Sequence, residues 1–275
     1  MSDPKQPKLS LKDRRRRLMW VKVAAGSAVV ALSLVVVWSI AHLPETAIAS
    51  VEVQGTKLVS GDALKSVVEA KLDGSYAFII PHRNSLLFPK DAIESAALHA
   101  FPALSHLTIS RNGMKALTVT AEERTVVALW CGATSGTAQG EAGNESCYSV
   151  DKDGFVFAVA DAGSALVRFY GALPTNPIGA TFLNGGFASL NTLVHDIGAS
   201  VNRAPATVTV DSATSDVELA FVDGGVVKFV RTSDRQSTLE NIASVFASQS
   251  FKTNKQFEYV DFRFGDKVYV KFKGQ

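Results

Sequence analysis

"YVDFRFGDKVYVKF", Tyr259 to Phe272, alternates almost without interruption. Val260, Phe262, Phe264, Val268, Val270 and Phe272 carry even numbers, whereas Asp261, Arg263, Lys267 and Lys271 carry odd ones. A period of two marks a strand with one buried face and one wet face. The stretch far exceeds the usual strand of about 5 to 6 residues. A break is therefore expected at Gly265-Asp266, through a bulge or an odd-length turn that preserves the parity. A two-residue hairpin there would mix the faces and is disfavoured. Lys267 to Lys273 is expected to be the final strand, with no later strand to pair with its outer edge.

Upstream of it, from Thr125 on, the chain reads mainly as strands: "VVALWC", "CYSVD", "FVFAV", "ALVRFYG", "ATVTVDS", "DVELAFV" and "VVKFVR". Helical patterns interrupt them near Phe187 to Val201 and over Asp234 to Ser248, where Leu239, Ile242, Ala243 and Phe246 form a stripe. Antiparallel strands joined by short turns under a few helices suggest an α+β domain built on a meander.

Before Thr125 the order differs. Ile48 to Gly55 reads as a strand. Ser60 then caps "GDALKSVVEAKL", whose Leu64, Val67, Val68 and Leu72 share a helical stripe ended by Asp73-Gly74. A second helix begins near Pro89, with Ile93, Ala96, Ala97 and Phe101 at the same spacing. The strands "LSHLTIS" and "KALTVTAEE" follow. An odd loop, Asn112 to Met114, sets Ile109 beside Leu117 and Leu107 beside Val119, whereas an even loop would oppose apolar to polar positions. The unit is β-α-α-β-β, from Ile48 to about Arg124.

The formal net charge of +2 conceals an asymmetry. Lys5, Lys8, Lys12, Arg14, Arg15, Arg16, Arg17 and Lys22 outweigh Asp3 and Asp13, so the first 22 residues carry +6 and the rest −4. A mildly acidic folded part argues against nucleic acid as a partner. After the basic leader, "VAAGSAVVALSLVVVWSIA", Val23 to Ala41, contains no charge. At 1.5 Å per residue it matches a hydrocarbon core of about 30 Å. Trp20 and Trp38 lie near its ends, where indoles favour the interfaces. Arg14, Arg15, Arg16, Arg17 and Lys22 set the amino terminus in the cytoplasm and everything after His42 outside. A cleaved signal peptide is the rival, with "AIA" at Ala47 to Ala49 as a small-x-small site, but nineteen apolar residues exceed an h-region of roughly 7 to 15.

The two cysteines, Cys131 and Cys147, both lie in the exported part and bracket the polar loop "GATSGTAQGEAGNES". Outside the cytoplasm such a pair is expected to form a disulfide across the loop's base, with a reduced structural pair as the alternative.

No catalytic motif emerges. His42, His82, His99, His106 and His195 are scattered, and neither a G-x-S-x-G elbow nor a P-loop occurs. "DKDG", Asp151 to Gly154, shares part of a calcium loop, but position 162 is Ala where that loop needs Glu, so a tight turn is expected. Asn144-Glu145-Ser146 is a formal glycosylation sequon read as loop. No enzyme activity, cofactor, metal or small-molecule substrate is expected.

Three segments together resemble the FtsQ/DivIB family of bacterial cell-division proteins: "FPALSHLTISRNGMKALTVTAEERTVVALW", "YSVDKDGFVFA" and "YVDFRFGDKVYVKF". They look like that family's hairpin ending in Glu-Arg, its Asp-x-x-Gly turn and its terminal Asp-hydrophobic-Arg strand. The order of the motifs, across nearly the whole chain, carries the resemblance. The chain departs from the pattern after Arg124, where Thr125 and Val126 replace a common proline, and in the Cys131 to Cys147 insertion.

The resemblance implies a cytoplasmic tail (1–22), a transmembrane helix (23–43), a polypeptide-transport-associated (POTRA) domain (48–124) and a β-rich, mainly antiparallel domain with two helices (125–273). It implies a non-enzymatic, single-pass scaffold at the division septum. Its partners would be small bitopic coiled-coil division proteins of the FtsB/DivIC and FtsL types. Strand addition would occur at Val268, Tyr269, Val270, Lys271 and Phe272, supported by Tyr259, Asp261 and Arg263, and the lysines would favour an acidic partner segment. The bland alternative for this edge is a strand that Lys267, Lys271 and Lys273 merely protect. Other functional readings are a POTRA-bearing subunit handling exported polypeptides and an anchored extracytoplasmic hydrolase.

Overall fold

The computed structural model describes residues 11–77, 80–133, 146–161, 163–253, 256–265 and 267–274. Lys5, Lys8, most of the loop between the cysteines, the Asn144 sequon, Ala162 and Asp266 lie outside the described residues. The protein is mixed α+β. It divides into two compact units: the first reaches to Ala100 and resumes over His106–Glu122, while the second takes Phe101–Ser105 and the chain from Glu123 on.

In the first unit, helix α1 (Leu11–Ala41) runs unbroken through the arginine cluster into the apolar stretch. It therefore begins inside the expected tail and stops two residues short of the expected end at residue 43. Lysine and arginine are good helix formers. Pro44 forces Leu43 into an extended conformation (φ −65°, ψ 132°), which ends the helix. Arg14, Arg15, Arg16, Arg17 and Lys22 all stand exposed on it. This helix is long and apolar enough to cross a membrane.

A 3₁₀ turn (Pro44–Thr46) leads to β1 (Ser50–Gln54), then α2 (Gly61–Leu72), β2 (Ser75–Tyr76), β3 (Ile80–Pro81), α3 (Lys90–Ala100), β4 (Leu104–Asn112) and β5 (Ala116–Glu123). Ser60 caps α2, its hydroxyl accepting from the Ala63 N–H at 3.4 Å. Leu64, Val68 and Leu72 of α2 and Ile93 and Ala97 of α3 are wholly buried. The sheet order is β1-β5-β4, with β1 parallel to β5. The β4–β5 connection is odd, Gly113 to Lys115, one position beyond the expected loop, and Leu107, Ile109, Leu117 and Val119 are all buried. The small β2–β3 hairpin between the helices was not anticipated, because Ser75–Tyr76 and Ile80–Pro81 are too short to show a period.

The second unit holds β6 (Ala128–Trp130), β7 (Tyr148–Val150), β8 (Val156–Val159), β9 (Arg168–Tyr170), α4 (Phe187–Val201), β10 (Pro205–Val210), β11 (Asp216–Phe221), β12 (Val226–Val230), α5 (Arg235–Phe246), α6 (Gln249–Thr253), β13 (Phe257–Phe264) and β14 (Lys267–Phe272). Its strands form one nine-stranded sheet, β14-β13-β12-β11-β10-β9-β6-β7-β8. A plain meander was expected, yet β6–β9, β9–β10 and β12–β13 pair in parallel. Parallel neighbours need long crossovers. Here α4 lies between β9 and β10, and α5 with α6 lies between β12 and β13. Phe187, Leu190, Val194 and Ile197 of α4 and Ile242 of α5 share a core with Phe169, Val208, Leu219, Phe229, Phe257 and Val260 of the sheet.

Cys131 and Cys147 are disulfide-bonded, with Cα atoms 4.2 Å apart. They flank the Trp130–Tyr148 pair of β6 and β7 and close a loop of 16 residues' separation. Such a closure stabilises by about 3 kcal/mol. The DKDG segment is a turn in which Gly154 N–H donates to Asp151 O at 3.1 Å. The Asp151 carboxylate is satisfied by protein groups: Asp153 N–H and Phe155 N–H at 2.9 Å each, and the Arg124 guanidinium at 2.5 Å. Arg124 also lies 4.1 Å above the Phe155 ring.

Candidate partner-docking edge

β13 and β14 end the sheet order, and among the described residues β14 pairs with β13 alone. β13 ends at Phe264 and β14 begins at Lys267, so of the two expected breaks the bulge, not the odd-length turn, is the one present, and it lies earlier than Gly265-Asp266. The register shifts between Asp261 and Phe264. The pairs run Phe264 with Lys267, then Asp261 with Tyr269, Val260 with Val270 and Tyr259 with Lys271. Even meets even once the bulge has absorbed a residue.

The expected burial of the even-numbered face holds only in part. Val260 is fully buried, and Phe262, Val268 and Phe272 are half-buried against the core. Phe264 and Val270 are exposed. Phe272 meets the Phe251 ring with centroids 5.1 Å apart. Beside Phe262 and Val268, a groove of about 370 Å³ opens against Asn241, Ser244 and Val245 of α5.

The odd face was expected to be wet, yet Asp261 is only 5% exposed. The reason is Arg263. Its Nε and Nη2 donate to Asp261 Oδ1 and Oδ2 at 2.9 and 2.6 Å, and its Nη1 donates to Asp216 Oδ2 of β11 at 2.6 Å. The Arg263 N–H also donates to Asp261 Oδ1 at 3.1 Å. These hydrogen bonds, opposed by burial, hold the Asp261 carboxyl below its usual range and push the Arg263 guanidinium further up. Asp261 and Arg263 thus tie the edge hairpin to β11, across β12.

Tyr259 is half-buried, with Lys228 Nζ 5.8 Å from its ring centroid. Lys271 binds Glu258 Oε2 at 2.5 Å, and this contact raises the pKa of its ammonium. Of the lysines expected to favour an acidic partner, Lys271 is paired within its own hairpin, while Lys267 and Lys273 stand exposed. Tyr269 stands 50% exposed and meets the 56% exposed Phe264 ring edge-to-face, centroids 5.2 Å apart.

The edge accordingly offers a row of outward backbone groups flanked by Tyr269, Phe264 and Val270. Glu258, Phe264 and Asp216 belong to this site and were missed in the sequence. Asp216 lies 47 residues from Arg263, beyond any local pattern. Glu258 lies just outside the alternating stretch, and alternation places Phe264 on the buried face. The disulfide sits far along the sheet order, just past the end of β6 and just before the start of β7. Among the described residues no group of three or more His, Cys, Asp or Glu is placed to hold a metal ion. No protein-family model and no curated protein matches the chain.

Proposed function

We propose that the protein is a single-pass membrane scaffold of the bacterial division machinery, FtsQ/DivIB-like, that recruits a small coiled-coil partner by strand addition along β14. The observation that carries this reading is an edge strand bearing exposed Tyr269 and Val270 beside a core-anchored hairpin. Most edge strands are blunted by charge or twist. Here Lys271 is drawn onto Glu258, and an aromatic pair is left at the surface. Backbone bonds to an added strand supply affinity, and Tyr269 and Val270 supply choice.

We read the first unit as a POTRA-type domain. Two helices set between β1 and the β4–β5 pair, with a small β2–β3 hairpin between the helices, and the parallel β1–β5 pair support this. An uncleaved anchor with a cytoplasmic amino terminus fits the same unit. Ile48 is buried and its N–H donates to Arg83 O at 2.8 Å, so cutting after Ala49 would remove part of the fold.

Depletion of the protein tests the function. Cells that elongate into filaments without septa support the division role, whereas accumulation of unexported precursors would replace it with polypeptide transport. A Tyr269→Asp chain puts a charge into the edge and is expected to weaken partner binding by about tenfold, equivalent to about 1.4 kcal/mol. It should fail to restore septation although it folds like the parent.

A further inference from the structure

The end of α1 is fastened to the first unit by a distant side chain. Asn84 is buried, and its Nδ2 donates to Ala41 O, the last residue of the helix, at 3.1 Å, and to Thr46 Oγ1 at 3.4 Å. Ser85 N–H donates to Thr46 O at 2.8 Å, and Asn84 bridges Ala47. The terminal carbonyls of a helix lack partners within the helix. Here a loop 43 residues away in the chain supplies one.

That same loop turns its apolar residues outward. Asn84 Oδ1 accepts from the Leu86 N–H at 2.9 Å, which shapes the turn, while Leu86 and Leu87 remain 53% and 52% exposed. Leu43, just past the helix end, is exposed too, and Lys90 follows the loop at the surface. Two adjacent exposed leucines on a well-bonded loop are costly in water. The position of the loop supplies the reason for them. The uncharged stretch from Val23 to Ala41 spans about 28 Å at the helical rise, close to the hydrocarbon thickness. If Lys22 marks one boundary, Ala41 marks the other, and whatever is bonded to Ala41 lies at headgroup depth.

We infer that the loop from Asn84 to Leu87 is a lipid-contacting collar, in which Leu86, Leu87 and Leu43 enter the interfacial layer of the outer leaflet. The inference rests on reading α1 as a membrane anchor. Apolar side chains buried at this depth, with a lysine reaching to the headgroups, are the means by which surface segments hold to membranes. The collar would hold the chain just past α1 at the membrane surface.

The test uses the full chain with Cys131 and Cys147 oxidised, so that an introduced cysteine is the sole free thiol. Leu86→Cys, Leu87→Cys, Val30→Cys within α1 and Gln54→Cys at the far end of β1 each carry an environment-sensitive nitrobenzoxadiazole probe. The proteins are reconstituted in phosphatidylethanolamine–phosphatidylglycerol vesicles with and without lipids spin-labelled near the headgroup. The collar predicts blue-shifted emission at 86 and 87, quenched about twofold by the spin-labelled lipid, with no quenching at 54. Probes at 86 and 87 that behave like the one at 54, while the Val30 probe sits in lipid, would overturn the collar and leave the anchor standing. Blue-shifted but unquenched probes at 86 and 87 would mean cover by protein and also overturn it. A Val30 probe in water would remove the anchor reading itself, and the collar with it.

Discussion

Gly154→Ala is expected to lower the stability of the second unit by about 4 kcal/mol, the sum of a strained left-handed backbone and an overpacked core. Gly154 has φ +87°, a conformation that L side chains rarely adopt. A Cβ there would lie 2.4 Å from Phe182 O and 2.9 Å from Phe187 Cβ. Neither neighbour can yield cheaply. Phe182 N–H donates to Gly154 O at 2.8 Å, and Phe182, Phe187 and Phe169 are buried together with ring centroids 5.1 to 6.2 Å apart. Urea unfolding of the full chain in detergent should show the midpoint of this unit falling by about 2 M at a slope of about 2 kcal/mol/M. An unchanged midpoint would mean that the turn is looser than its hydrogen bonds imply.

Arg263→Ala should cost about 3 kcal/mol at neutral pH, since it strands the buried Asp261 beside Asp216 without their shared cation. Lysine would restore the charge but not the fork that engages two carboxylates at once, so Arg263→Lys should recover only part of the loss. The pH dependence distinguishes this cause from lost packing. In the parent, Arg263 depresses the pKa of Asp261 in the folded state. Its stabilisation is therefore complete above the unfolded value and is lost as pH falls through the folded one. In the variant, burial without the Arg263 guanidinium pushes the Asp261 pKa up from its depressed value, against the weaker pull of Lys228, so acid relieves the defect. The stability gap should be widest near neutrality and narrow below about pH 4. A gap that stays constant through this range would assign the loss to packing alone.

Helices α2 and α5 were legible because stripe and cap agree, whereas the short α6 (Gln249–Thr253), a third helix where two were expected, was not. Ser60 with Leu64, Val68 and Leu72 marks α2, and Asp234, whose carboxylate accepts from Ser237 N–H at 2.8 Å, marks α5. The terminal hairpin was legible as alternation but not as geometry. Parity arithmetic assumes unbroken strands, and the bulge between Asp261 and Phe264 breaks that assumption without changing any residue type. Strand identity was also more visible than strand order. The parallel β12–β13 neighbours depend on a crossover through α5 and α6, and nothing in "VVKFVR" distinguishes a parallel partner from an antiparallel one. At the edge, Tyr269, Val270 and Lys271 were placed from the sequence. What the sequence concealed was their pairing: Lys271 with Glu258, Tyr269 with Phe264, and Arg263 with Asp216 two strands away on β11. Each depends on a register set by the tertiary fold.

Photo-crosslinking from position 269 in native membranes tests the central claim most directly. A photoreactive residue replaces Tyr269 in the full chain, and mass spectrometry identifies what is captured. Strand addition at β14 predicts one dominant product, a small single-pass coiled-coil protein joined through an extended segment. A smear of unrelated exported polypeptides, or no product from a folded and membrane-inserted chain, would contradict it.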